Sequence, residues 1–454
     1  MEGSRMIIAL LIGIVVLVYL ILKTKVHAFL GLNIAAVLIG LIGGMPAAQI
    51  PGSIIKGFGG TLGSIGIIIG FGVMMGQIFD KTGAAERMAL TFIKLFGKKH
   101  EHWAMAVTGF IVSIPIFCDS GFVVVSPIAK AISKKTRRSI VAIAGPLAAG
   151  LVITHSLVPP TPGPLGVAGT FGVDVGQFIL WGIVIALPMT IASTLYSQWL
   201  GKRIYQLPAD NEEGWERPAE INEIVSDDVL VPSRELPSAF ESFLPLLAPI
   251  VLILLSNICS AMGVTGEAKT VISFLGSPII AVGIGLLLAI FVLGRNLDRS
   301  TALFEMDKGI KAAGLIMLVT GGGGALGQIL KDSGTGNYVA QLLSKTAIPI
   351  IILPFIISTI VRFIQGSGTV AMVTAAGICA PIVQAAGGNM MLGAFAACIG
   401  SLFFSYFNDS YYWVVNNLMG MKDTKEQIRN WSISSTIAWG VGFIELLILS
   451  AVIH

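Results

Sequence analysis

The sequence predicts an all-α polytopic membrane protein made of two inverted repeats. Each repeat is expected to hold about five spans plus a re-entrant hairpin, with one broken helix apiece. Composition, an internal duplication and the sorting of basic residues predict it. Of 454 residues, 54% are hydrophobic and only 12% charged, and the mean hydropathy is +0.85. A soluble core cannot hide that much apolar surface. The chain also aligns with itself at an offset of about 250 residues, as transporter halves do. Gly70-Phe71-Gly72-Val73-Met74-Met75-Gly76-Gln77-Ile78 falls on Gly321-Gly322-Gly323-Gly324-Ala325-Leu326-Gly327-Gln328-Ile329, and Thr82-Gly83 on Ser333-Gly334. Cys118-Asp119-Ser120-Gly121 pairs with Gln365-Gly366-Ser367-Gly368, and the break from His155 to Pro164 pairs with the run Ser405 to Ser410.

A span needs about 20 apolar residues. That rule places helices near 5–23, 26–44, 62–80, 139–173, 176–200, 243–262, 274–294, 312–330, 391–420 and 432–453. The helices at 139–173 and 391–420 are interrupted. The stretches 103–132 and 346–386 are split by Asp119-Ser120-Gly121 and Gly366-Ser367-Gly368, and read as hairpins that enter and leave on one side. The first apolar stretch, Met6 to Leu22, is followed by Lys23 and Lys25 without a small-residue cleavage site, and is expected to be a retained span. With the N-terminus outside, all 29 Lys and Arg residues fall on the cytoplasmic side except Arg5, Lys56, Lys269, Lys331, Lys345 and the intramembrane Arg362. That asymmetry follows the positive-inside rule. It sets the first hairpin on the cytoplasmic side and the second on the outer side. The repeats are then 1–203 and 242–454, joined by a polar cytoplasmic linker, 204–241, rich in acidic residues and proline. The net charge of +4 carries no implication for nucleic acid, because basic residues here sort by membrane side. Cys118, Cys259, Cys379 and Cys398 sit in apolar segments without metal-ligand spacing, so neither a disulfide nor a metal site is expected.

The breaks carry the chemistry. Unpaired backbone groups cost several kcal/mol in lipid, so irregular backbone at membrane depth lines a wet cavity or is buried in protein. Half-helix N-termini at such breaks favour an anion. Ser120 and Ser367 occupy matched tip positions, and the two tip runs also bring Asp119, Gly121, Gln365 and Gly368 to the same place. Small residues of this kind otherwise serve close helix packing. The intramembrane ionisable residues are Asp119, His155, Arg362, Asp409 and Glu445, each costly without a partner. Arg362 suits a carboxylate through its planar fork; a salt bridge to Asp119 or Asp409 is the structural alternative. Asp119, His155 and Asp409 are the candidates for a coupled proton, His155 being equally suited to a backbone cap. Glu445 reads as a packing or subunit contact. Tyr411, Tyr412 and Trp413 read as core or interface aromatics.

These residues resemble the gluconate permease family, which comprises gluconate:proton symporters, sugar-acid permeases and a D-serine permease. The likeness rests on Phe117-Cys118-Asp119-Ser120-Gly121-Phe122, Val158-Pro159-Pro160-Thr161-Pro162-Gly163-Pro164, Gly321 to Gly324, Gln365-Gly366-Ser367-Gly368-Thr369-Val370, and Asn408-Asp409-Ser410 with Trp413. It runs in order along nearly the whole chain. The resemblance implies an elevator-type mechanism and a homodimer. The chain departs from gluconate-type members at Thr161, where they often carry His, at Ser120, where they carry an aliphatic residue, and at Tyr411-Tyr412, where many have Gly-Phe.

The expectation is a bacterial inner-membrane secondary transporter, not an enzyme, that imports a small polar carboxylate with protons. Gluconate or a related sugar acid is the first candidate and D-serine or another small hydroxy or amino acid the alternative. Ser120, Thr161, Ser367, Thr369, Asn408 and Ser410 are expected to hydrogen-bond the substrate. No cofactor is expected. The coupling ion is expected to be a proton, with sodium, held by tip oxygens, as its rival. No Gly-x-x-x-x-Gly-Lys-Ser/Thr run supports ATP drive, and no His-Glu-x-x-His run supports a metallohydrolase. A channel would need a continuous pore, usually with rotational symmetry between subunits.

Overall fold

The computed structural model describes residues 2–24, 26–97, 99–209, 214–221, 235–262, 265–343, 349–406 and 409–452. The first half runs α1 (Glu2–Lys23), α2 (Ala28–Gly43), α3 (Ile50–Thr82), α4 (Ala84–Phe96), α5 (Glu101–Val112), α6 (Cys118–Thr136), α7 (Ile140–Leu157), α8 (Pro162–Phe171) and α9 (Val175–Gly201). A two-stranded antiparallel ribbon, β1 (Leu207–Pro208) and β2 (Trp215–Glu216), follows in the linker. The second half runs α10 (Ala239–Ala261), α11 (Glu267–Leu275), α12 (Pro278–Leu288), α13 (Arg299–Asp332), α14 (Thr335–Leu343), α15 (Ile352–Gln365), α16 (Gly368–Ala385), α17 (Met390–Gly400), α18 (Ser410–Leu418), α19 (Thr424–Gln427) and α20 (Ile433–Val452). Apart from α11 and the short α19, the two halves use the same order of elements.

The matched glycines explain the order locally. Gly83 and Gly334 both take positive φ, +78° and +73°, and each turns the chain from a long helix into a short one, α4 or α14. The long helices α3 and α13 lie against one another through their glycines. A Cβ on Gly57 would stand 2.3 Å from the Gly324 carbonyl, so the two backbones touch. Such close approach is how membrane helices gain packing where the hydrophobic effect gives none.

Among the described residues, six helical stretches are long and apolar enough to cross a bilayer, and α3, bent by 44°, is a seventh. The hairpin arms are shorter. At 1.5 Å per residue the 12 residues of α5 reach about 18 Å and the 14 of α15 about 21 Å, short of a ~30 Å hydrocarbon core. Each short arm is backed by a broken helix: α5 packs on α7, and α15 on α17.

The described start of the linker, at 204–209 and 214–221, is docked. Arg217 forms a fork with both carboxylate oxygens of Glu426, at 2.8 and 2.6 Å, and its Nε donates to the Gln206 side chain at 2.9 Å. The Gln206 amide in turn donates to the Met419 carbonyl at 2.7 Å. The ribbon thereby ties the end of the first half to the last turns before α20.

Candidate functional site

Four breaks in the helices converge. The first tip differs from its expected position: α5 ends at Val112, the chain turns through Pro115, and Phe117 at φ −63°, ψ 138° opens α6. The split is therefore made by residues 113–117, and Asp119, Ser120 and Gly121 form the first turn of α6. Pro115 has no N–H to continue a helix, whereas an aspartate is favoured in a first turn. The second tip falls where expected. Gly366, at φ +87°, closes α15 with its N–H on the Arg362 carbonyl at 2.9 Å, and the Ser367 hydroxyl accepts the Val370 N–H at 3.4 Å to cap α16.

At the third break the Thr161 hydroxyl donates to the His155 and Val158 carbonyls, each 2.9 Å away. Its single O–H is shared between two carbonyls stranded at the end of α7. At the fourth, Asp409 caps α18, its Oδ1 accepting the Tyr411 N–H at 3.1 Å. Removing the Thr161 hydroxyl while keeping its shape, as in Thr161→Val, is expected to cost about 1–3 kcal/mol through the unsatisfied carbonyls. Thermal unfolding of the purified variant measures this; an unchanged midpoint would mean that another donor takes over.

The breaks enclose a cavity of about 310 Å³. The first turns of three helices open onto it: α6 with Cys118 and Asp119, α16 with Gly368 and Thr369, and α18 with Ser410 and Tyr411. Three sets of partly positive helix N-termini therefore face one space. His155 and Ser156 reach it from the end of α7, and Arg362 from α15. Arg362 and Asp409 form a buried ion pair, Nη2 to Oδ2 at 2.5 Å, with side chains 5% and 10% exposed. Arg362 Nη1 also donates to the Gly366 carbonyl, which ties the pair to the second tip. The same Asp409 oxygen accepts the Ser405 hydroxyl, and the Ser405 oxygen accepts the Trp431 indole N–H at 2.8 Å.

Asp119 is held more loosely. The Ser410 hydroxyl donates to its Oδ1 at 3.3 Å and the Cys118 thiol to its Oδ2 at 3.6 Å. His155 is buried against the Phe117 ring, 5.5 Å between centroids, and its Nδ1 has no partner among the described residues.

Of the expected site residues, the cavity wall thus gathers Asp119, His155, Arg362, Ser367, Gly368, Thr369, Asp409 and Ser410. Ser120, Gly121 and Thr161 are not on it. Gly121 faces α7, where an added Cβ would meet Leu151 at 2.7 Å, and Thr161 is engaged in its cap. Asn408 and the side chain of Gln365 lie outside the described residues. Cys118, Ser156, Ser401, Ser405, Trp431 and Ser435 also line the wall and were not anticipated. Ser405 stood inside the matched third break, a signal that was available; Trp431 and Ser435 have no counterpart in the duplication. A second cavity, of about 260 Å³, has Lys56 and Lys331 at its exposed rim. It receives the C-terminal ends of α8 and α16, whose carbonyls disfavour an anion.

Long apolar helices, paired breaks and a polar chamber between them define a multi-pass membrane permease. The family model for the GntP family permeases matches residues 5–452, and the chain belongs to that family. It is 48% identical over 453 residues to an uncharacterized permease of Haemophilus influenzae, covering 98% of this chain and 92% of that protein. It is 35% identical to the high-affinity gluconate transporter of Escherichia coli (97% and 98% covered) and 32% identical to that organism's Gnt-II system L-idonate transporter (97% and 98%). Among solved structures, Neisseria gonorrhoeae MtrF, described as one of a class of antimetabolite efflux pumps, aligns at TM-score 0.66 with 15% identity, covering 96% of this chain and 97% of that one. The Alcanivorax borkumensis YdaH transporter aligns at 0.63 with 14% identity, covering 89% and 88%. At these identities the two structures speak for the fold alone. The family and these relatives are permeases and transporters, not enzymes.

Proposed function

We propose that this chain imports a sugar acid, gluconate or a close relative, across the bacterial inner membrane by proton symport. The observation that carries the reading is the chamber in which three helix N-termini and Arg362 surround space lined by hydroxyl groups. A cavity near 310 Å³ suits a small ligand. The N-termini and the guanidinium attract a carboxylate. The hydroxyls of Ser156 and Thr369, without internal partners among the described residues, match a polyol chain. Ser367 and Ser410 offer further hydroxyl contacts, and Asn408 precedes Asp409 and Ser410 in sequence. The names of the gluconate and L-idonate transporters support the same substrate class.

In this reading the halves are inverted repeats. The hairpins and broken helices carry the substrate past α3 and α13 in an elevator-type movement, within a homodimer. Asp119, His155 and Asp409 are the groups available for the proton. Uptake into proteoliposomes tests it: an imposed inward proton gradient should accumulate labelled gluconate without sodium, and a protonophore should abolish accumulation. Accumulation that requires sodium and ignores pH would overturn the proton assignment. A zwitterion such as D-serine is the second reading, favoured by Asp119, which has no cationic partner among the described residues and would accept an ammonium group. Competition by D-serine but not by sugar acids would select it.

A further inference from the structure

We propose that Asp119 is the group that carries the coupled proton, and that it must be protonated before the carboxylate substrate binds. The inference rests on the sugar-acid reading and deepens it by assigning the proton and the order of binding.

The charges facing the cavity come from four elements. α15 supplies Arg362, the N-cap of α18 supplies Asp409, α7 supplies His155 and α6 supplies Asp119 beside the Cys118 thiol. Asp409 is already engaged: it accepts Arg362 at 2.5 Å, the Ser405 hydroxyl and the Tyr411 N–H at 3.1 Å. These three donors, one of them a cation, occupy both of its oxygens. The guanidinium in turn is neutralised by Asp409, so the pair adds no net charge. His155 has a buried Nδ1 without an acceptor, and its ring lies against Phe117. A second proton on that ring would be left without a partner.

Asp119 is the remaining carboxylate, and no cation pairs with it among the described residues. Among the described residues the side chains that donate to it are the Ser410 hydroxyl at 3.3 Å and the Cys118 thiol at 3.6 Å, the latter a weak donor. While ionised it leaves the chamber with one net negative charge, against which a carboxylate would enter the same 310 Å³. Two carboxylates sharing a site cannot both stay ionised cheaply. Once protonated, Asp119 removes that repulsion and supplies an O–H donor to the substrate. The balance is simple: one proton passes from the aqueous phase to an Asp119 oxygen as one carboxylate binds, and both leave together on the other side. The helix N-termini and Arg362 then see the substrate as the one uncompensated anion.

The test is binding of D-gluconate to the purified protein by calorimetry between about pH 5 and pH 8. For wild type the apparent Kd is expected to rise about tenfold per pH unit on the alkaline side, with one proton taken up per gluconate, read from buffers of different ionisation heat. Asp119→Asn, and Asp119→Ser as a second neutral variant, should bind gluconate with a Kd that is flat to within about twofold over the range. They should also exchange gluconate in liposomes while failing to accumulate it. His155→Gln should keep the wild-type slope.

Wild-type binding without pH dependence, a slope that survives in both Asp119 variants, or a slope lost in His155→Gln would each overturn the assignment while leaving the substrate reading intact. Failure of wild type to bind gluconate at any of these pH values would overturn the substrate reading, and this proposal with it.

Discussion

Replacing Arg362 with alanine is expected to abolish measurable binding of a sugar acid. The residue serves two functions at once. Its Nη2 neutralises Asp409, and its Nη1 holds the carbonyl of Gly366 at the second tip. Breaking a buried ion pair from one side costs about 3–5 kcal/mol, because a charge is left behind without its partner. Here the abandoned charge is a carboxylate in the chamber that must receive another carboxylate. The expected weakening exceeds about a hundredfold in Kd, since each 1.4 kcal/mol is tenfold.

Arg362→Lys should recover part of the affinity. It keeps a cation, but a single ammonium cannot reach both the carboxylate and the carbonyl as the planar fork does. The double variant Arg362→Ala with Asp409→Asn separates the two functions. If it binds gluconate as well as wild type, Arg362 acts only by cancelling Asp409. If it stays as weak as the single variant, the guanidinium itself holds the substrate. Normal affinity in Arg362→Ala alone would remove this residue from the site.

Much of this arrangement was legible because the chain repeats itself. Thr82-Gly83 and Ser333-Gly334 align in sequence, and both glycines turn the chain at positive φ. The tip at Gly366-Ser367 was legible for a related reason, a left-handed glycine followed by a capping serine. The sequence puts the first tip at Asp119-Ser120-Gly121, whereas the turn spans residues 113–117; Pro115, which lacks an amide hydrogen, is the stronger break signal. The helices α4 and α14 went unread. At 13 and 9 residues, with one apolar face each, they fall far below the length that a span search detects.

The site was legible where side chains are charged and opaque where they are small. Asp119, His155, Arg362 and Asp409 stood out because ionisable groups are rare in spans. Ser401 and Ser435 did not, since serine in a membrane helix usually bonds its own backbone, and both of these do: Ser401 donates to the Cys398 carbonyl at 2.6 Å and Ser435 to the Ser432 carbonyl at 3.0 Å. Thr161 was expected to touch substrate for the sound reason that it sits in a polar break. The structure places its hydroxyl on two carbonyls of that break, a need that the sequence states only once the end of α7 is fixed.

Gly109→Ala is expected to destabilise the protein and to weaken substrate binding together. Gly109 on α5 and Gly150 on α7 let two backbones meet. A Cβ on Gly109 would lie 2.3 Å from the Leu147 carbonyl oxygen, and one on Gly150 would lie 2.5 Å from that of Ala106. Neither obstacle is a movable side-chain end, so α5 has to shift outward. Overpacking of this kind costs about 1–3 kcal/mol. The shift would reach the chamber directly, because α5 leads through Pro115 to Asp119 while α7 carries His155 in its last turn. The second half repeats the device: a Cβ on Gly400 of α17 would stand 2.4 Å from the Phe355 carbonyl of α15. Gly59→Ala is the control. Gly59 is exposed on α3 with nothing within 4 Å of its added Cβ, and alanine there gains roughly 0.5–1 kcal/mol of helix stability over glycine. Thermal unfolding and gluconate affinity of the purified variants decide the matter. Gly109→Ala should melt lower and bind more weakly than wild type, and Gly59→Ala should melt at or above it with unchanged affinity. If the two variants behave alike, the contact between α5 and α7 is not what seats the first tip.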